Sequence, residues 1–168
     1  MHFHYGYHIF GAAVVAHFDP QWGREFFDQV MLLVRNIANP SEDDEFFPIM
    51  RHKDIYQGHS WASGIATWVH NGRNQESSSE SLAAYESVAL YGKVMASIFA
   101  ADGAKSRDQY NQATEVRRVG KLLTASELRS ARKYYHVKRN EVVKIYPSAY
   151  TPHVIGIVSY SERSSARQ

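Results

Sequence analysis

The sequence predicts a mainly α protein, and three observations carry that expectation. Apolar residues recur every three or four positions through most of the chain; the breaks between these stretches hold Asp-Pro, Asn-Pro and Asp-Gly; and β-branched runs are confined to the part beyond His136.

From Phe3 to His17, the series Phe3, Tyr7, Phe10, Val14 and Phe18 runs among small residues Gly6, Gly11, Ala12, Ala13 and Ala16, which reads as a closely packed helix. Asp19-Pro20 is expected to stop it and Gln21-Trp22-Gly23 to turn the chain. A second helix, about Arg24 to Ala38, should bury Phe27, Val30, Met31, Val34 and Ile37 and end before Asn39-Pro40, completing an αα-hairpin.

Periodicity is then lost from Ser41 to Arg73. This stretch carries Glu42-Asp43-Asp44-Glu45, two phenylalanines before Pro48, the run Tyr56-Gln57-Gly58-His59-Ser60-Trp61, and then Gly64 and Trp68. A connection this long in a helical chain is functional or disordered, and its aromatic content argues for a site-forming loop over about 41–73. A third helix, Ser79 to Ala100, should bury Leu82, Tyr85, Val88, Ala89, Leu90, Val94 and Ile98. A fourth follows from about Lys105 to Tyr135, with Gly120 as a candidate break and Thr124-Ala125-Ser126-Glu127 as a fresh N-cap signal. Val142, Val143, Ile145 and Tyr146 before Pro147, and Val154 to Val158 after Pro152, suggest a hairpin or loop strands. The tail, 159–168, is polar and expected to fray.

Composition narrows the function. The 168 residues, 44% hydrophobic, amount to about one domain. With 19 basic and 17 acidic residues the net charge is +2, which offers no electrostatic case for a nucleic-acid or membrane partner. The late basic residues, Arg117-Arg118, Lys121, Arg129, Arg132-Lys133 and Lys138-Arg139, alternate with Glu115 and Glu127 as on a solvated helix face. Without cysteine there is neither a disulfide framework nor a thiolate metal site. Met1 leads directly into His2-Phe3-His4-Tyr5 with no signal-peptide pattern, and the longest apolar stretch, Ile9 to Ala16, falls well short of the ~20 residues of a membrane helix.

Three constellations could carry chemistry. His4 and His8 stand at the i,i+4 spacing of zinc ligands, but no third ligand or HExxH pattern accompanies them, and Glu42 to Glu45 lacks the spaced oxygens and glycine of a calcium loop; no metal or cofactor is expected. Glu76 and Glu80 are two carboxylates four residues apart. On a helix they would share one face, with Cβ atoms roughly 5–6 Å apart, either as a solvated helix start capped by Ser77 or Ser79 or as a general acid/base pair. The Tyr56 to Trp61 segment could form a stacking and hydrogen-bonding wall for a sugar ring.

Taken together, His2-Phe3-His4-Tyr5-Gly6-Tyr7, Ala38-Asn39-Pro40-Ser41-Glu42-Asp43-Asp44, Gly58-His59-Ser60-Trp61-Ala62 and Gln75-Glu76-Ser77-Ser78-Ser79-Glu80 resemble, in order, blocks of glycoside hydrolase family 81, the endo-1,3-β-glucanases. Ala131-Arg132-Lys133-Tyr134-Tyr135-His136 and Tyr150-Thr151-Pro152-His153-Val154-Ile155-Gly156 are weaker matches. The resemblance implies that residues 1–158 are part of an (α/α)6 toroid, from an inverting enzyme that cuts β-1,3-glucan internally without a cofactor and works outside the cell or at the cell wall. It implies that Glu76 and Glu80 are the essential pair, with Glu76 favoured as the base and Glu80 orienting water or sugar. It also implies substrate contacts for His4, Tyr5, Tyr56, His59, Trp61 and Gln75. In the family the general acid is an aspartate ahead of a His-His-Phe-His-Tyr-Gly run; Met1 stands at the first of those two histidines, so the aspartate position falls one residue before Met1. The expectation is therefore a fragment of low activity, or a β-glucan-binding module that has lost catalysis, unless Asp43, Asp44 or Asp54 supplies the proton.

Overall fold

The computed structural model describes residues 3–61, 73–136, 142, 144–147 and the backbone of 159–160. The later part of the expected loop with Gly64 and Trp68, the strand 154–158 and the block from Tyr150 to Gly156 lie outside the described residues.

The elements are α1 (Phe3–Phe18), a short α2 (Pro20–Glu25), α3 (Phe27–Ala38), the strands β1 (Lys53–Asp54), β2 (His59–Ser60) and β3 (Arg73–Asn74), α4 (Ser78–Ala101), a 3-10 turn (Gly103–Ser106), α5 (Arg107–Ser130), a π turn (Ala131–Tyr135) and β4 (Ser159–Tyr160). β1 pairs antiparallel with β2, and β3 with β4, so Ser159 and Tyr160, expected in a frayed tail, meet Asn74 and Arg73. The mainly α class is as expected.

α4 is the central helix. It packs along α1 on one side and α5 on the other, with α3 closing the core against all three. Both long seams rely on glycine where the helices come closest. A Cβ on Gly6 of α1 would sit 2.4 Å from the Ala84 Cα, and one on Gly120 of α5 would sit 2.4 Å from the Ala89 backbone nitrogen. Gly120 is therefore an approach point, and α5 runs through it unbroken.

The α1 seam is built from the small residues of the closely packed helix that the sequence suggested. Phe3 is buried, but Tyr7, Phe10, Val14 and Phe18 are exposed, while Gly6, Ile9, Ala12, Ala13 and Ala16 face the core. Small side chains let two helix backbones approach, so the large ones stand outward. α3 behaves as expected, burying Phe27, Val30, Met31, Val34 and Ile37. In α4, Tyr85, Val88 and Ile98 are buried as expected, joined by Tyr91, Met95 and Phe99, whereas Leu82, Ala89, Leu90 and Val94 are only partly covered.

α1 ends at Phe18, before Asp19-Pro20 as expected, but Pro20 also starts a helix, so Gln21-Trp22-Gly23 lie in α2 and not in a turn. Asp19 caps α2, its carboxylate accepting from the Trp22 backbone N–H at 3.0 Å with Pro20 in the first turn. Between α3 and β1 the chain forms a strap held from inside. The buried Asn39 amide donates to the carbonyls of Ser41 and Phe47, and Arg35 grips Asp44 with two hydrogen bonds of 2.5 and 2.8 Å. The acidic run thus contains a carboxylate already committed to a cation.

Candidate active site

Glu76 and Glu80 lie where β3 passes into α4. Ser77 is the N-cap of α4, its hydroxyl accepting from the Glu80 N–H at 3.2 Å, so Glu80 sits in the first helical turn and Glu76 lies outside the helix. The two carboxylates do not share a helix face, which corrects the i,i+4 reading. The reason lies in the backbone: Glu76 has φ +60°, and the Ser77 N–H bonds back to the Gln75 carbonyl at 2.8 Å. A three-residue turn with positive φ at its apex is the rare, strained form of the γ-turn, and outside glycine such a conformation costs on the order of 1–3 kcal/mol. Glu76 is exposed at that apex.

Glu80 is positioned by α1. The Tyr7 hydroxyl donates to its Oε1 at 3.0 Å, and His4 Nε2 lies 3.7 Å from the same oxygen, an ion pair whenever the imidazole is protonated. The His4 and Tyr7 rings stack with centroids 6.1 Å apart. The bond to Glu80 raises the Tyr7 phenol above its ordinary pKa, because ionisation would remove the donated proton and oppose two negative charges. Tyr7 belongs to the exposed face of α1, so that face contributes directly to the site.

Beneath the turn lies a buried polar network. Gln75, fully buried, accepts from the Ser60 backbone N–H at 2.6 Å and donates through Nε2 to Glu127 Oε1 at 2.6 Å and to the Ser81 hydroxyl at 3.0 Å. Glu127, expected on a solvated face or at a helix cap, is also fully buried, and Lys53 reaches its Oε2 at 2.5 Å. The Ser81 hydroxyl donates to Glu127 Oε1 at 2.6 Å, and the Ser60 hydroxyl shares a 2.7 Å bond with the buried Tyr85 hydroxyl. Burial pushes the Lys53 ammonium below its ordinary pKa, against the pull of the Glu127 charge, and pushes the Tyr85 phenol up.

The structure thus joins most of the residues singled out from sequence. His4 meets Glu80 directly. His59 and Trp61 flank Ser60, which binds Gln75, and their rings meet edge to face at 4.3 Å, His59 buried and Trp61 half-buried. Tyr5 is half-buried against the hydrophobic core. Tyr56 stands apart, fully exposed in a turn where the Asp54 carboxylate accepts from the N–H groups of Tyr56 and Gln57. Asp54 is engaged by that turn and Asp44 by Arg35. Tyr7, Lys53 and Glu127 were missed. Glu127 could have been found, since it continues the buried stripe Val116, Gly120 and Leu123 of α5, where an acidic residue needs an internal partner. Among the described residues no cluster of three His, Asp or Glu could hold a metal ion, and no helix is long and apolar enough to cross a membrane.

A mainly α chain with an exposed and a half-buried carboxylate at a helix start and aromatic groups nearby is compatible with a polysaccharide hydrolase. Comparison with known proteins gives the family. The Glycosyl hydrolase family 81 C-terminal domain matches residues 1–166, and the chain belongs to that family. It is 34% identical over 158 residues to a glucan endo-1,3-beta-D-glucosidase of Thermobifida fusca, covering 93% of this chain and 18% of the relative. It is 32% identical over 167 residues to one from Glycine max, covering 98% of this chain and 22% of the relative. A solved structure of a family 81 glycoside hydrolase from Clostridium thermocellum, a mutant form, aligns with TM-score 0.73 at 32% identity, over 94% of this chain and 20% of that one. The chain therefore spans about a fifth of these proteins (18%, 22% and 20%) and forms part of the family's helical toroid.

Proposed function

We propose that this chain carries the water-activating side of a cleft that hydrolyses 1,3-β-D-glucosidic linkages inside β-1,3-glucan with inversion at the anomeric carbon. The observation that supports this most is the strained turn that projects Glu76 into solvent beside a Glu80 held from α1. Strain of this kind persists only where the surroundings over-determine it, and it concentrates at functional sites. Glu76 takes the proton from a water as that water's oxygen attacks the anomeric carbon, and the glycosidic oxygen leaves with a proton from a general acid on the opposite face of the sugar. Glu80, with its Oε1 engaged by Tyr7, orients the water or a sugar hydroxyl. Trp61 offers an apolar ring face for a glucose unit.

The test is reducing-sugar release from a β-1,3-glucan by the chain and by a version extended with Asp-His before His2, since the family pattern places an aspartate ahead of that run. Where release is measurable, Glu76→Gln should lower it by about 10²–10⁴-fold, the range for loss of a positioned acid or base. Unchanged release in both Glu76→Gln and Glu80→Gln would end the assignment. Glucan binding that weakens in Trp61→Ala, with no release from either version, would instead make the chain a β-glucan-binding module.

A further inference from the structure

We propose that Glu127 is a positioning residue for Glu76: with Lys53 it forms a buried anchor that clamps the Gln75 side chain and thereby holds the strained turn presenting the Glu76 carboxylate. The inference rests on the reading of Glu76 as the base, and it concerns residues far from Glu76 in sequence.

Among the described residues, every hydrogen-bond partner of the Glu127 carboxylate is a donor. Lys53 Nζ and, at 3.4 Å, the Ser60 hydroxyl point at Oε2, while the Ser81 hydroxyl and the Gln75 amide point at Oε1. A carboxylate with both oxygens so occupied is an acceptor that no neutral side chain of its shape can replace. A glutamine there must aim its NH2 group at a donor whichever way it turns. The same polarity fixes Gln75. Its carbonyl must accept from the Ser60 N–H and its NH2 must face Glu127, because the flipped amide would set donor against donor and oxygen against carboxylate.

Gln75 is thus held on both sides immediately before Glu76. Ser77, on the other side, is fixed as the N-cap of α4. With both ends pinned and the Ser77 N–H committed to the Gln75 carbonyl, Glu76 is left with the left-handed conformation. Without the Gln75 clamp, nothing opposes relaxation of Glu76 to negative φ, and its carboxylate would swing away from its present direction. Lys53 does more than balance the charge. It belongs to β1, which pairs with the β2 strand that carries Ser60, so one ion pair ties the strap, the Gln75 turn and α5 together.

The experiment reads the geometry itself. In the NMR spectrum of the chain, a residue with positive φ gives a strong intraresidue amide to Hα cross-peak, and Glu76 should show one. Glu127→Gln and Gln75→Leu should weaken that cross-peak severalfold and shift the Ser77 amide. Leu123→Ala, a core truncation one turn away on α5, should leave both unchanged although it lowers the thermal midpoint. Absence of the strong cross-peak in the unsubstituted chain, its persistence in folded Gln75→Leu or Glu127→Gln, or its equal loss in Leu123→Ala would overturn the proposal. If Glu127→Gln fails to fold by circular dichroism, Gln75→Leu decides, because it leaves the Lys53 pair in place. None of these readouts requires glucan. Loss of the cross-peak in the variants together with full glucan hydrolysis by Glu76→Gln would sink the base assignment and leave the clamp standing.

Discussion

Ser77 and Glu80 have the spacing of a capping box, in which the glutamate would return to the N-cap N–H. Only half of that exchange occurs. The Ser77 hydroxyl accepts from Glu80, but the Ser77 N–H is spent on the Gln75 carbonyl and the Glu80 carboxylate turns to Tyr7. A side chain that local structure would have used for a cap is released to bond with α1. Tyr7→Phe should therefore leave the fold intact and the urea midpoint nearly unchanged, the bond being exposed to solvent, while lowering any glucan hydrolysis. Equal glucan hydrolysis in Tyr7→Phe and the unsubstituted chain would remove Tyr7 from the site. The pair Glu76 and Glu80 was visible in sequence because unusual charges at short spacing stand out. Glu127 was hidden because a single acidic residue among late basic ones looks solvated until its place on the buried stripe is noticed.

At the scale of elements, the helices were legible from periodicity, but the buried face of α1 was not. The aromatic series and the small-residue series both recur at helical spacing, and their contest is settled by the distance to α4. Gly6→Ala should cost about 1–3 kcal/mol in urea denaturation, since its methyl would collide with the Ala84 backbone. Gly11→Ala, with open space around it, should be neutral or stabilising by up to about 1 kcal/mol. The outward aromatic face has its own test: Phe18→Ser, at 81% exposure, should change stability by less than about 0.5 kcal/mol, against about 3–5 kcal/mol for the buried Phe27→Ala. The ion pairs between elements give a pH dependence. Hydrogen bonds from Arg24 hold the Asp102 carboxyl below its ordinary value, and Arg35 does the same for Asp44. Since the folded pKa is the lower one, this stability is fully present above the unfolded value and is lost as pH falls through the folded value. Thermal midpoints of the chain and of Asp102→Asn and Asp44→Asn should differ most near neutral pH and draw together only as pH falls below the ordinary carboxylate range.

For the whole molecule, the large exposed side chains have a pattern. Val14 and Phe18 of α1, with Leu90 and Val94 of α4, line an open apolar groove of about 630 Å³ at the end of α1 away from Glu80. The chain corresponds to about a fifth of its relatives, so a face of this kind is where a larger helical ring would continue. The buried Lys53 and Glu127 pair has a different consequence, in the order of assembly. Its partners are separated by 74 positions, and closing so long a loop gains nothing until α5 is already in place on α4. The strap should therefore dock late, onto helices formed from nearer contacts, and the turn at Glu76 should be the last part to acquire its shape. Folding and unfolding rates would show this: Lys53→Met should speed unfolding and leave the folding rate nearly untouched, whereas Val88→Ala in α4 should slow folding. A protein built this way can hold its helices while the turn at Glu76 is still unmade.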